Sequence, residues 1–265
     1  MQNKPNKLRK KLRDGQLAVG AVMYSWSPAV IELAGYAGLD FMRLDNEHAW
    51  RQDESAEHIM RAAAIGDIVA LHRVDRDNPY LIRKALEIGA GGIIIPDVDS
   101  PEYAKAIVQA AKFPPQGTRG IGTQCFSARW ATADIAKWVE WSDLEPMVGV
   151  MIESVKAIEC VDDILAVDGV DFALFGPADY SMSLGLRKPD KNHPAVQDAL
   201  ARTIAAAKKL GKHVIFGVGA DPDEIARYVE MGVTMLELPA DMAVLRTGWG
   251  NVCEAIRQRE SNGRR

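Results

Sequence analysis

Four apolar runs in this chain stop on residues able to move protons or hold charge. LDFMRLD ends in Asp45 and is followed by Asn46, Glu47 and His48. VALHR ends in His72 and Arg73, MVGVMIE ends in Glu153, and VDFALFGPAD leads through Gly176, Pro177 and Ala178 to Asp179. Two carboxylates without Cys or His suit a hard divalent cation that keeps open positions for water and substrate oxygens. Such an ion can grip a 2-oxo acid through its carboxylate and keto oxygens and stabilise an enolate as a Lewis acid. Arg73 adds a fixed positive charge beside the developing oxyanion. His48, oriented by a carboxylate such as Asp45, is the natural proton acceptor near neutral pH. The small turn Gly176-Pro177-Ala178 brings backbone amides close to an anion at a helix start.

Each residue also has an ordinary structural use. Asp179 could cap the segment that begins at Tyr180, Glu153 could pair with a barrel lysine or arginine, and His48 could be a surface imidazole. What favours a site is their convergence, because four neighbouring strand ends would meet at one mouth.

The elements that must position them follow a repeating unit. Ser27-Pro28, Asn78-Pro79 and Asp221-Pro222 each open an apolar-periodic segment, and Gly38, Gly89 and Gly232 close them at the same separation. A polar side chain accepts from a free helix-start amide, proline fits the first helical turn, and glycine ends the helix at positive φ. Strands are expected at 17–23, 39–45, 67–73, 91–95, 147–152, 171–175, 213–217 and 233–237, with helical patterns between most neighbours. Such alternation implies a parallel sheet, and eight repeats favour a single (β/α)8 TIM barrel over residues 1–265. An open doubly wound sheet is the alternative, but no GxGxxG follows the first strand. An excursion at about 113–145 is too long for a simple connection and is expected to cover or build a site.

Composition narrows the functional classes. The 265 residues are 48% apolar, with a net charge of −4. That balance gives no reason to expect nucleic acid as the main partner. Cys125, Cys160 and Cys253 form neither a disulfide framework nor a zinc pattern, so a cytoplasmic setting is expected. The first residues, MQNKPNKLRKKLRDGQ, lack the apolar stretch of a secretory signal, and no apolar run is long enough to span a membrane. Lys7, Arg9, Lys10, Lys11 and Arg13 read as a solvated first helix.

The segments LDFMRLDNEHA, VALHRV, GTRGIG, MIES and FGPADYSMSLG resemble the signature segments of the HpcH/HpaI aldolase family, in order from about residue 17 to about 248. These are class II pyruvate aldolases, including the 4-hydroxy-2-oxoheptanedioate and 2-dehydro-3-deoxyglucarate aldolases. The resemblance implies reversible aldol addition and cleavage between pyruvate or a related 2-oxo acid and an aldehyde, through a metal-stabilised enolate. Mg2+ or Mn2+ is the implied ion, with Co2+ or Zn2+ as alternatives. His48 corresponds to the family's proton acceptor, Arg73 to its transition-state stabiliser, and Glu153 and Asp179 to the metal ligands. Ala178 and Asp179 would offer amides to the pyruvate carboxylate. Glu87, in the last turn of the helix that begins at Pro79, occupies a position where a neighbouring subunit's Asp raises the basicity of the histidine. A homo-oligomer is implied, a hexamer or trimer of dimers, with a carboxyl-terminal helix exchanged between subunits.

Three departures from the family pattern stand out. Asn46 replaces a Gly, Glu87 replaces the shorter Asp, and Met151 replaces a Gln that touches substrate. Methionine cannot donate a hydrogen bond, so hydroxypyruvate becomes an alternative donor. Asp97 adds a carboxylate near the mouth with no assigned part. A Schiff-base aldolase is the first rival, but no lysine ends a strand. The others are an acyl-CoA lyase or hydrolase of the citrate lyase branch, and a non-catalytic oligomeric barrel. The acceptor pocket is expected to draw on the 113–145 excursion and the loops after the last two strands. Arg119 could bind a distal acid or phosphate there, or anchor the glycine-rich loop.

Overall fold

The computed structural model describes residues 4–48 and 55–263. Its strands are β1 (Ala18–Met23), β2 (Phe41–Asp45), β3 (Val69–Arg73), β4 (Gly92–Ile95), β5 (Met147–Ile152), β6 (Phe172–Phe175), β7 (His213–Gly217) and β8 (Met235–Leu238). They close in sequence order, with β8 pairing parallel to β1, so the expected (β/α)8 barrel is present.

The punctuation expected from the sequence is physical. Helices α2 (Pro28–Tyr36), α4 (Pro79–Glu87) and α11 (Pro222–Met231) begin on their prolines. Gly38, Gly89 and Gly232 follow at φ of 92°, 94° and 108°, where a side chain would be strained. Side-chain capping holds only in part. Asp221 accepts from the Asp223 amide, whereas Ser27 and Asn78 make no side-chain cap bond. At Ser27 the main-chain carbonyl takes the Val30 amide instead.

Alternation along each strand sends one set of side chains inward and the next outward. The outer set packs under the helices in one large core, while Phe41, Leu71, Ile94, Met147, Met151, Phe172, Ile215 and Met235 fill the barrel. Helix α1 (Lys7–Arg13) plugs the base of that filling with Leu8 and Leu12. It is therefore less solvated than its charges suggest: Arg9 donates to both Asp171 carboxylate oxygens, and Lys11 pairs with Asp40.

The excursion differs from expectation in position. Helix α5 (Pro101–Ala111) runs from the mouth to the base, so residues 112–134 and helix α6 (Ile135–Leu144) lie at the base, opposite the strand ends. There Phe113, Ala128 and Trp138 build a small core of their own. Arg119 is buried within it, its guanidinium 4.5 Å from the Phe113 ring centroid, and reaches no mouth in its own chain. The carboxyl-terminal helix α12 (Asp241–Gly263) leaves Met242, Leu245, Trp249, Val252 and Ile256 exposed.

Candidate active site

The inward columns change character from base to mouth. On β2 the order is Phe41, Arg43, Asp45; on β3, Leu71 then Arg73; on β5, Met147, Gly149, Met151, with Glu153 just beyond; on β8, Met235 then Glu237. Apolar filling thus gives way to charge in the upper layers, at the end where barrels of this type carry their sites.

Asp45 is the hub. It is fully buried, and its carboxylate accepts from Arg73 Nε at 3.2 Å and from Arg73 Nη2. Its Oδ1 also accepts the main-chain amides of Glu47 at 3.1 Å and His48 at 3.0 Å. Asp45 therefore orients His48 through the backbone of the loop; the bond goes to the amide and not to the ring. Burial opposes the Asp45 charge, but Arg73, the His48 amide and Arg43 outweigh it and hold the carboxyl below its usual range. The His48 residue itself is exposed at the mouth.

Arg73 is buried and multiply engaged. Besides Asp45 it pairs with Glu47 Oε2 at 2.7 Å, and its Nη1 donates to Met151 Sδ at 3.7 Å. The thioether thus stands against the guanidinium that would face a reacting oxygen.

Glu153 is in the opposite situation. It is buried, and burial first, then the Asp179 and Glu47 carboxylates, push its carboxyl up to about 8. Its Oε1 accepts the Asp97 amide at 2.7 Å, and a Cβ at Gly176 would fall 2.6 Å from Oε2. Glycine at 176 is thus required for the carboxylate to lie where it does. This gives Asp97 a part: it sits at φ 53°, aiming its amide at Glu153, while its carboxylate pairs with Arg76. Asp179 is exposed in the first turn of the short helix α9 (Pro177–Ser183) and caps nothing, since Gly176 holds the cap position. The amides of Ala178 and Asp179 precede the first intrahelical bond, which runs from Tyr180 to the Gly176 carbonyl.

The structure thus brings Asp45, Arg73, Met151, Glu153, Gly176, Ala178, Asp179 and the His48 loop to one mouth. Glu87 is not among them. It lies at the far end of α4, its carboxylate 3.1 Å from where a Gly122 Cβ would sit, at the base of the barrel.

Several residues of the site escape a reading by strand ends. Arg43 Nε and Nη2 donate to the two Glu237 carboxylate oxygens at 2.7 and 2.8 Å, and Nη1 reaches Asp45 Oδ2 at 3.5 Å. Tyr24 stands at the rim after β1, its phenol raised by burial and then by the Asp45 carboxylate. Asp241 anchors this rim by accepting the Tyr24 and Ser25 amides at 3.0 Å each. A signal for the pair was available: Arg43 and Glu237 are charges inside otherwise apolar strands, and Arg43 is two residues from Asp45, hence on the same inner face.

Charged groups thus gather at the carboxyl-terminal mouth of a closed barrel, where enzymes of this fold carry their sites. Residues 21–247 match the HpcH/HpaI aldolase/citrate lyase family, and the chain belongs to it. It is 32% identical to a hydroxypyruvate/pyruvate aldolase of Pseudomonas aeruginosa, over 91% of this chain and 88% of that one. It is also 32% identical to a 5-keto-4-deoxy-D-glucarate aldolase of Escherichia fergusonii, over 96% of this chain and 98% of that one. Among solved structures, the HpcH/HpaI aldolase from Desulfitobacterium hafniense DCB-2 superposes with a TM-score of 0.88 at 33% identity, covering 94% of this chain and 96% of its own. The reaction class that comes with this kinship is that of an aldolase, a carbon–carbon lyase.

Proposed function

We propose that this protein is a class II aldolase that joins pyruvate or hydroxypyruvate reversibly to an aldehyde, with a divalent cation held by Glu153 and Asp179. The observation that carries it is the position of Glu153, a buried carboxylate set against two others and receiving one amide. Among the described residues no group of three or more His, Cys, Asp or Glu gathers as a metal cluster. The fit is therefore that of an ion taking two carboxylates from the protein and its other ligands from water and substrate, a pattern suited to Mg2+ or Mn2+. When bound, the ion supplies Lewis-acid polarisation of the keto oxygen.

The chain's own residues do the rest. The amides of Ala178 and Asp179 bind the carboxylate of the 2-oxo acid. His48, held at the rim by its amide, takes a proton from the carbon beside the ketone. Arg73 faces the negative charge that then moves toward the keto oxygen, its own orientation fixed by Asp45. The carbon attacks the aldehyde carbon as its C=O π bond opens, the proton taken by His48 passes to the new alkoxide, and cleavage runs the same steps backwards. Glu87 fits the resemblance only across a subunit contact, because within one chain it faces the opposite end of the barrel. The exposed stripe on α12 supports a homo-oligomer, and the composition supports a cytoplasmic enzyme.

The test is exchange of the pyruvate methyl protons in deuterated water, followed by NMR. Exchange that requires Mg2+ or Mn2+ and vanishes with EDTA is the expected result. If neither pyruvate nor hydroxypyruvate exchanges with any divalent metal, the aldolase mechanism at this site fails. The acyl-CoA reading or a non-catalytic barrel then takes its place.

A further inference from the structure

Beneath the mouth, charges alternate across the barrel. Glu237 on β8 holds Arg43 on β2 by a two-bond fork; Arg43 reaches Asp45; Asp45 holds Arg73 on β3 and the amides of Glu47 and His48. All four side chains are buried, none more than 7% exposed as a residue. Arg43 is thus a guanidinium that cannot turn to water, and its two nearest anions are Glu237 and Asp45. The distances rank them: 2.7 and 2.8 Å to Glu237 against 3.5 Å to Asp45. Were Glu237 absent, Arg43 would need another acceptor, and among the described residues the carboxylate already within its reach is Asp45, through Oδ2. That oxygen is the one Arg73 Nη2 uses.

We infer that Glu237 and Arg43 are positioning residues for the reaction: Glu237 occupies Arg43 so that Asp45 remains free to hold Arg73 and the His48 loop. Neither touches substrate. They act by deciding which guanidinium Asp45 serves, and a displacement of about 1 Å at such a hub can cost about 100-fold in rate. The inference rests on the proposed assignment of Arg73 and His48 to an aldol site, but its geometric content can be tested without turnover.

The experiment is a four-cornered cycle of wild type, Glu237→Leu, Arg43→Met and the double variant. Glu237→Gln serves as the near-isosteric alternative should Glu237→Leu fold poorly. Two readouts are taken on the full-length protein: the arginine side-chain Nε–H NMR signals, with Arg73 assigned through Arg73→Lys, and the rate of pyruvate methyl exchange with Mn2+. Loss of Glu237 alone is expected to shift the Arg73 Nε–H signal and speed its exchange with water, and to lower the methyl-exchange rate by 10- to 100-fold. Arg43→Met leaves Glu237 buried without its cation and is expected to lower Tm, but it should leave the Arg73 Nε–H signal in place; the double variant should return both that signal and the exchange rate to within about threefold of wild type, because the competitor has left together with its keeper. A pair that only stabilises the barrel would lower Tm in both single variants and leave the Arg73 signal unmoved, which overturns the inference. Failure of wild type to exchange methyl protons, with the Arg73 signal behaving as described, would instead remove the aldol assignment and leave the positioning of Arg73 by Glu237 and Arg43 intact.

Discussion

At the scale of single residues, the site is a set of groups each held in a state it would not keep in water. Met151 is an example, for its sulfur stands against Arg73 and can donate no hydrogen bond to an oxo acid. Met151→Gln restores that capacity at similar volume. It is expected to raise kcat/KM for pyruvate relative to hydroxypyruvate by about 3- to 10-fold, the worth of one modest hydrogen bond; competition between the two acids for one aldehyde reads the ratio. His72, behind the site, has both ring nitrogens buried and without a hydrogen-bond partner among the described residues, with Trp26 against its ring. Burial lowers it from 6.5 to about 4. The unfolded chain then binds the proton more readily than the folded one. The native state keeps its full stability above pH 6.5 and loses up to about 3 kcal/mol as pH falls toward 4. His72→Leu should flatten that limb of the stability curve in urea titrations between pH 4 and 7; an unchanged slope would assign the acid sensitivity elsewhere.

At the scale of elements, the question is what lets apolar strands carry charges at one end only. Glycines on the inner face make room for large rings from the next strand: a Cβ at Gly149 would lie 2.2 Å from the Phe172 ring, and one at Gly20 2.5 Å from the Phe41 ring. Gly149→Ala is expected to cost about 3 kcal/mol, since the ring must leave its rotamer, and the loss should be visible as a lower urea midpoint at constant m. This layering also explains what could be read from the chain alone. The Pro-to-Gly units were legible because their chemistry is local, and Glu153 and Asp179 because they terminate apolar runs. The Arg43–Glu237 pair spans 194 positions and depends on the closure of β8 onto β1 and the inner-face phase of both strands. The two halves of that contact are ordinary residues until the barrel shuts. The end at which the excursion emerges is hidden from the chain for a similar reason: its length suggests a role, but only the direction of α5 decides at which end of its own barrel it lies.

At the scale of the whole molecule, the mouth and the 112–134 segment face opposite ends of the barrel, and so do His48 and Glu87. If the two cooperate, they do so between chains. Mixing separately inactivated His48→Ala and Glu87→Ala subunits, dissociated and reassembled together, should then recover up to about a quarter of wild-type activity, as sites that pair an intact His48 with an intact Glu87 form again. No recovery would confine Glu87 to its own chain's base. The plug made by Leu8 and Leu12 has a different consequence. A vessel stoppered at the bottom has one doorway, and everything that enters or leaves queues there. The groups assigned to the oxo acid run from the buried Glu153 outward to Ala178, Asp179 and His48, which stand in the doorway itself. On the proposed assignment the oxo acid fills that passage first and leaves it last, with the aldehyde as its lid. In the cleavage direction the enzyme will release its products in that fixed sequence, and added oxo acid will compete directly with the substrate for the empty protein.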